Sequence, residues 1–141
     1  MKHPKLHPTK RLNAYTLSEI LVVLIIIGIL AFLALPYLMS VVTRAKSTEA
    51  KLQLEHLQTL EKSYFYEFSK YTTDFDELGF VQEKLVTDGK DARANYRIEI
   101  TSASNTGFTA RATAVVDFNG NGTFDVWEIN ENKTLKEVTK D

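Results

Sequence analysis

The sequence predicts an α+β protein in which one long N-terminal helix packs on a small antiparallel sheet of about four strands. Three observations predict it. Residues 20–35 form an unbroken apolar run. Residues 40–71 contain no Gly or Pro and carry Leu54, Leu57, Leu60, Tyr64, Phe68 and Tyr71 at three- and four-residue spacing, which suits one face of a helix. Residues 72–141 then hold short stretches of strand type, separated by Gly and Asn turns.

The charge is uneven along the chain. Lys2, Lys5, Lys10 and Arg11 make residues 1–14 purely basic, which leaves 13 basic against 18 acidic residues in the remainder, a net of −5. An acidic remainder excludes nucleic acid as the default partner, because phosphate binding needs a concentrated basic surface. The chain has no Cys, so no disulfide staples the head, and packing, assembly or a metal must hold it.

Residues 1–39 admit three readings. A cleaved secretory signal has an apolar region of about 7–15 residues and a small-x-small site behind it; here the run is longer, and Pro36-Tyr37-Leu38-Met39-Ser40-Val41 offers no such site. A plain anchor is possible, since about 20 residues of helix span the ~30 Å hydrocarbon core. The basic leader then stays cytoplasmic and the remainder lies outside, a bias that Arg44, Lys46 and Lys51 weaken without reversing. Glu19, however, stands at the mouth of the run, where a carboxylate costs about 2.5–3.5 kcal/mol at bilayer depth. A plain anchor has no use for it. Gly28 and Pro36 lie in the same segment, and both weaken a helix.

The third reading accounts for all of these. Ala14-Tyr15-Thr16-Leu17-Ser18-Glu19, the apolar run, Gly28 and Pro36 resemble the N-terminus of type IV pilins and of the related type II secretion pseudopilins. Ala14 stands in place of the usual Gly, and Tyr15 in place of the commoner Phe. The resemblance implies a pilin-like fold and cleavage by a prepilin peptidase between Ala14 and Tyr15, with methylation of the new Tyr15 amine. It also implies that residues 28–36 melt or stretch in a fibre. The Glu19 carboxylate of one subunit then pairs with the Tyr15 amine of a neighbour, and an unpaired buried charge is costly enough to make the pair a register device. The competing reading leaves Glu19 as a helix-start residue favoured by the helix dipole.

The elements follow in order. Residues 1–14 are expected to be a cytoplasmic leader, 15–39 the transmembrane and polymerisation half of the helix, 40–71 its amphipathic half, and 72–141 a globular head. Arg44, Lys46, Glu49, Lys51, Glu55, Glu61 and Lys62 are assigned to the wet face of the second half. Tyr64, Phe65, Tyr66, Phe68 and Tyr71 are expected in the core, with His56 structural or solvent-facing. Residues 71–80 read as a loop with a short turn that tucks Phe75, Leu78 and Phe80 under the helix. Tyr96, Ile98 and Ile100 alternate with polar residues, as do Phe108, Ala110, Ala112, Ala114 and Val116, and the small side chains suit a sheet lying close to a helix. Residues 126–129 and 135–138 supply two further strands.

The stretch 117–128 carries the second signal. Asp117, Asn119, Asn121, Asp125 and Glu128 fall at the first, third, fifth, ninth and twelfth places of an EF-hand-type loop, with Gly122 at the sixth and Thr123 offering its carbonyl. That spacing suits Ca2+ as a structural ion, and the resemblance implies the same, since some pseudopilins hold this region with calcium. Against it, a strand precedes the loop, and Asn119-Gly120 and Asn121-Gly122 equally suit a hairpin turn. Both readings stand at this point.

No catalytic constellation is present: His3 and His7 lie in the leader, His56 has no nucleophile at suitable spacing, and Asp74, Asp76 and Glu77 read as a solvated loop. The expected function is that of a non-enzymatic structural subunit, made as an inner-membrane precursor with its head in the periplasm. Its partners would be the prepilin peptidase, identical or related subunits, and the inner-membrane assembly machinery. The product would be a surface pilus. The alternatives are a periplasmic pseudopilus that exports proteins, and an unprocessed single-pass protein with a calcium-binding head.

Overall fold

A computed structural model describes residues 15–141. The leader, Ala14 and the proposed cut therefore lie outside the described residues. The elements are α1 (Leu17–Phe68), α2 (Phe75–Leu78), β1 (Tyr96–Ala103), β2 (Phe108–Ala114), β3 (Val126–Asn130) and β4 (Leu135–Thr139). The strands form one antiparallel meander in the order β1-β2-β3-β4. By contact density the chain divides into two compact units, the first ending at Pro36 and the second Tyr37–Asp141.

In the first unit α1 is apolar on every side. An 18-residue window has a mean hydropathy of 2.9 with none of it buried, which by length and composition is enough to cross a membrane. The helix continues through Pro36.

In the second unit α1 buries Thr43, Ser47, Ala50, Leu54, Leu57, Glu61 and Tyr64, with Gln58 beside them. Apart from Gln58 these follow alternating four- and three-residue steps, which make one stripe of a helix. Facing it are Tyr96 and Ile98 of β1, Phe108, Ala110, Ala112 and Ala114 of β2, and Ile129 of β3, which join Leu54, Leu57 and Tyr64 in one core. The core-facing positions of β2 are Phe108 and three alanines, so this strand adds little side-chain bulk to the core. Leu78 and Phe80 are buried and Phe75 half-buried beneath the helix.

Three expectations need correction. The helix ends at Phe68, not residue 71, because Ser69 takes φ 56°, which ends the helical turn. Tyr71 instead turns inward, its N–H donating to the Ser104 carbonyl at 3.0 Å. The aromatic cluster is only partly core: Tyr64 and Tyr71 are buried and Phe65 packs on Tyr71 at 4.8 Å between ring centroids, but Tyr66 is 77% exposed and Phe68 is also exposed. Neighbouring helical residues diverge in direction, so the run cannot all face inward. Finally, Glu61 belongs to the buried stripe and not to the wet face.

Two polar clamps hold the segment before β1 to α1. Glu49 takes Asn95 in a two-pronged grip, accepting from its backbone N–H at 2.7 Å and its side-chain amide at 2.6 Å. The Glu61 carboxylate accepts from the Thr72 N–H at 3.3 Å, and its other oxygen is buried without a partner among the described residues. Burial pushes the Glu61 carboxyl up to about 7, against a smaller opposing effect of Thr72.

Candidate assembly segment and acidic loop

The start of α1 is built from Thr16 and Glu19. The Glu19 N–H donates to Thr16 Oγ1 at 3.3 Å, while Glu19 Oε2 accepts from the Thr16 N–H at 2.8 Å and from its hydroxyl at 3.0 Å. This is a capping box, with the hydroxyl residue before the first turn and the Glu three residues on. The Thr16-Leu17-Ser18-Glu19 spacing carries the local signal for it, which a reading of Glu19 as a charge alone does not use. Within one chain Glu19 thus has a partner of its own. Tyr15 and Leu17 are largely exposed beside it, and the large apolar side chains that follow are exposed on every side of the helix. Space around Gly28 is open, with nothing within 4 Å of where a Cβ would sit. Pro36 lies inside the helix.

The acidic loop closes on itself. Asp117 Oδ1 accepts from the Asn119 and Gly120 N–H groups at 3.2 and 2.6 Å, and Oδ2 from that of Gly122 at 2.6 Å. These amides, Gly122 first, hold the Asp117 carboxyl below its ordinary range against an opposing effect of burial. Asn119 Oδ1 caps the Asn121 N–H at 2.9 Å and Asn121 Oδ1 caps that of Thr123 at 2.6 Å, a ladder of side-chain turns. Gly120 and Gly122 take positive φ of 77° and 83°, which the ladder requires and other residues resist.

The six expected ligands do not gather. Glu128 points along β3 to Arg111 of β2, its cross-strand partner, and accepts from the guanidinium at 2.6 and 2.8 Å. Asp125 is 1% exposed and turned into the head, where Oδ2 accepts from the Tyr96 hydroxyl at 2.6 Å and the Trp127 indole N–H at 2.8 Å. Asp117, Asn119, Asn121 and Thr123 remain, short of the six to eight oxygens that calcium takes. Among the described residues no group of three or more His, Cys, Asp or Glu side chains is placed to hold a metal ion. As placed, the set does not fit one calcium ion, and the hairpin reading accounts for the loop's own hydrogen bonds.

Asp125 instead organises the head. Burial, together with its hydrogen bond, pushes the Tyr96 hydroxyl pKa up, so Tyr96 remains a donor at all ordinary pH. The Lys51 ammonium of α1 lies 4.2 Å from the centre of the Trp127 ring, tying helix to sheet. His56 is exposed, its ring 6.0 Å from that of Phe80.

No family model matches the chain. In sequence it is similar to the type IV major pilin protein PilA of Myxococcus xanthus (strain DK1622), with 38% identity over 84 residues. The match takes in 60% of this chain but only 37% of that relative's length. In structure it is similar to the non-core minor pilin PilV of Neisseria meningitidis, with a TM-score of 0.53 over 71% of this chain and 90% of that one, at 17% identity. A long N-terminal helix on a four-stranded antiparallel sheet is the fold they share.

Proposed function

From the type IV pilin family that both the sequence relative and the fold support, we propose that this chain is a subunit of a pilus, made as an inner-membrane precursor with a cytoplasmic leader and a periplasmic head. A prepilin peptidase cuts after Ala14 and methylates Tyr15, and the inner-membrane machinery then packs the apolar helices of many copies into a fibre. The observation that carries this reading is the first unit of α1, which presents apolar side chains in every direction with one carboxylate at its start. A soluble monomer leaves such a surface in water at a large hydrophobic cost. Lipid covers it before assembly, and neighbouring helices cover it afterwards.

The capping box gives Glu19 two successive partners. In the precursor, Thr16 satisfies the carboxylate inside its own chain, which lowers the cost of inserting it. In the fibre the methylated Tyr15 amine of a neighbour supplies an opposite charge, and correct stagger is the arrangement that leaves no charge unpaired. The chain acts without catalysis, as a structural element. Expression in a pilus-assembling host tests this. Sheared surface fibres should contain the chain, and its retention as a membrane monomer would contradict the reading.

A further inference from the structure

The loop between β2 and β3 contains the chain's two Asn-Gly bonds, Asn119-Gly120 and Asn121-Gly122. Such a pair is open to a reaction of the chain on itself, because no Cβ shields the Gly nitrogen that attacks. That nitrogen gives up its proton to water or hydroxide, and its electron pair forms a bond to the Asn Cγ. The Cγ–Nδ2 bond breaks, and the side-chain nitrogen leaves as ammonia. Water then opens the resulting imide at either carbonyl, to give aspartate or isoaspartate. The balance is amide plus water to acid plus ammonia, with no oxidant or reductant. The surroundings leave the way open. Gly120, Asn121 and Gly122 are exposed, and nothing lies within 4 Å of where a Cβ would sit on either Gly.

One carboxylate stands against both attacking nitrogens. Asp117 Oδ1 accepts from the Gly120 N–H and Oδ2 from the Gly122 N–H, each at 2.6 Å. These are the two N–H groups that must lose their protons for the two imides to form. A hydrogen bond to a negative charge holds the proton in place, and the same charge opposes a second anion on the nitrogen. Each Asn side chain is held as well. Asn119 Oδ1 accepts from the Asn121 N–H at 2.9 Å, and Asn121 Oδ1 from the Thr123 N–H at 2.6 Å. The amides around Asp117 keep its carboxyl below the ordinary range, so it stays charged at the alkaline pH that favours the reaction.

We propose that residues 119–122 are a latent deamidation site and that Asp117 guards both of its Asn residues, holding the Gly120 and Gly122 N–H protons against loss. One side chain thus controls two reactions two residues apart. Failure at this place disrupts the loop. Isoaspartate adds a methylene to the backbone within a ladder of turns, and each new carboxylate lies near Asp117 and repels it. The role needs no metal, and it does not depend on the chain's place in a fibre.

The test incubates the full chain in detergent at mildly alkaline pH and follows Asn119 and Asn121 separately by peptide mass spectrometry. In folded wild type both should react about tenfold or more slowly than in the same chain unfolded in guanidinium chloride, the factor expected from a hydrogen bond to a charged group. Asp117→Ala should speed both sites together toward the unfolded rate, with its thermal midpoint checked to lie above the incubation temperature. If that variant does not fold, Asp117→Asn, which keeps an acceptor oxygen and loses the charge, carries the same comparison. Asp141→Ala removes the acceptor of the Phe118 N–H and loosens the same loop, but leaves both Gly N–H bonds to Asp117. Its rates should stay near those of wild type. The proposal is overturned if folded wild type reacts as fast as the unfolded chain, or if removing the Asp117 charge changes neither site. It is also overturned if Asp141→Ala speeds both sites as much as Asp117→Ala. None of these readouts depends on cleavage or fibre assembly.

Discussion

The Tyr96 hydroxyl donates to Asp125 Oδ2 at 2.6 Å across 29 residues of sequence, and that one bond joins the first strand of the sheet to the end of the acidic loop. The Trp127 indole shares the same oxygen, and Lys51 of α1 covers the Trp127 ring. A residue that reads from spacing as a metal ligand is thus the centre of a buried polar knot tying helix, loop and sheet together.

Tyr96→Phe should therefore destabilise the protein without changing the fold. It leaves Asp125 with the indole alone in a site closed to water, a loss of about 1–3 kcal/mol for a buried polar group deprived of a partner. Urea unfolding of the full chain in detergent checks this. A wild-type midpoint would mean that the bond is not important to the head.

Ala112 is fully buried between β2 and α1. Ala112→Leu forces the sheet away from the helix, with an expected loss of about 1–3 kcal/mol from overpacking. The comparison is Thr113→Val on the opposite face of the same strand, which should move the thermal midpoint little.

Glu61 makes stability depend on pH. Its carboxyl ordinarily titrates near 4.5 and is pushed up to about 7 in the fold. Between those values the folded state holds a proton that the unfolded chain has released, so this contribution is complete below 4.5 and is lost as pH rises through about 7. Glu77 has the opposite sense: the Tyr64 and Thr72 hydroxyls hold its carboxyl low, and its contribution is lost as pH falls. The measurement is the difference between wild type and Glu61→Gln. Relative to the variant, wild type should lose melting temperature between pH 5 and pH 8, and parallel curves would rule the effect out.

Glu19→Gln separates the two uses of that side chain. Gln still accepts from the Thr16 N–H, so the helix start persists, but it cannot supply a charge to a neighbour's amine. Leader removal should proceed normally while incorporation into fibres falls sharply. Quantifying mature chain in the membrane and fibre fractions checks both, and full incorporation would contradict the register role.

The sequence made the helix and the strands legible because each repeats on a short period. The stripe of Leu54, Leu57 and Tyr64 follows helical spacing, and Phe108 through Ala114 follow the alternation of a strand. What it could not reveal was pairing between distant residues. Nothing local to Asp125 distinguishes a calcium ligand from a partner of Tyr96, and nothing local to Glu61 says that a charged residue fills a core position. Glu128 falls at a ligand place of the loop pattern and also lies across the strand pair from Arg111, a pairing that no local reading reveals. Tyr66 reads as core by composition although helical spacing turns it outward, whereas Phe68 continues the helical spacing from Tyr64 and is nonetheless exposed at the last residue of the helix. The capping box of Thr16 and Glu19 was within reach of a purely local reading.

The central claim is that the apolar helix is made for assembly after its leader is removed. The most direct measurement is the intact mass of the mature protein purified from its own cells. The account predicts a chain beginning at Tyr15, lighter than the full sequence by residues 1–14 and heavier by one methyl group. A mature protein that retains residues 1–14, or one cut behind the apolar run, would contradict it.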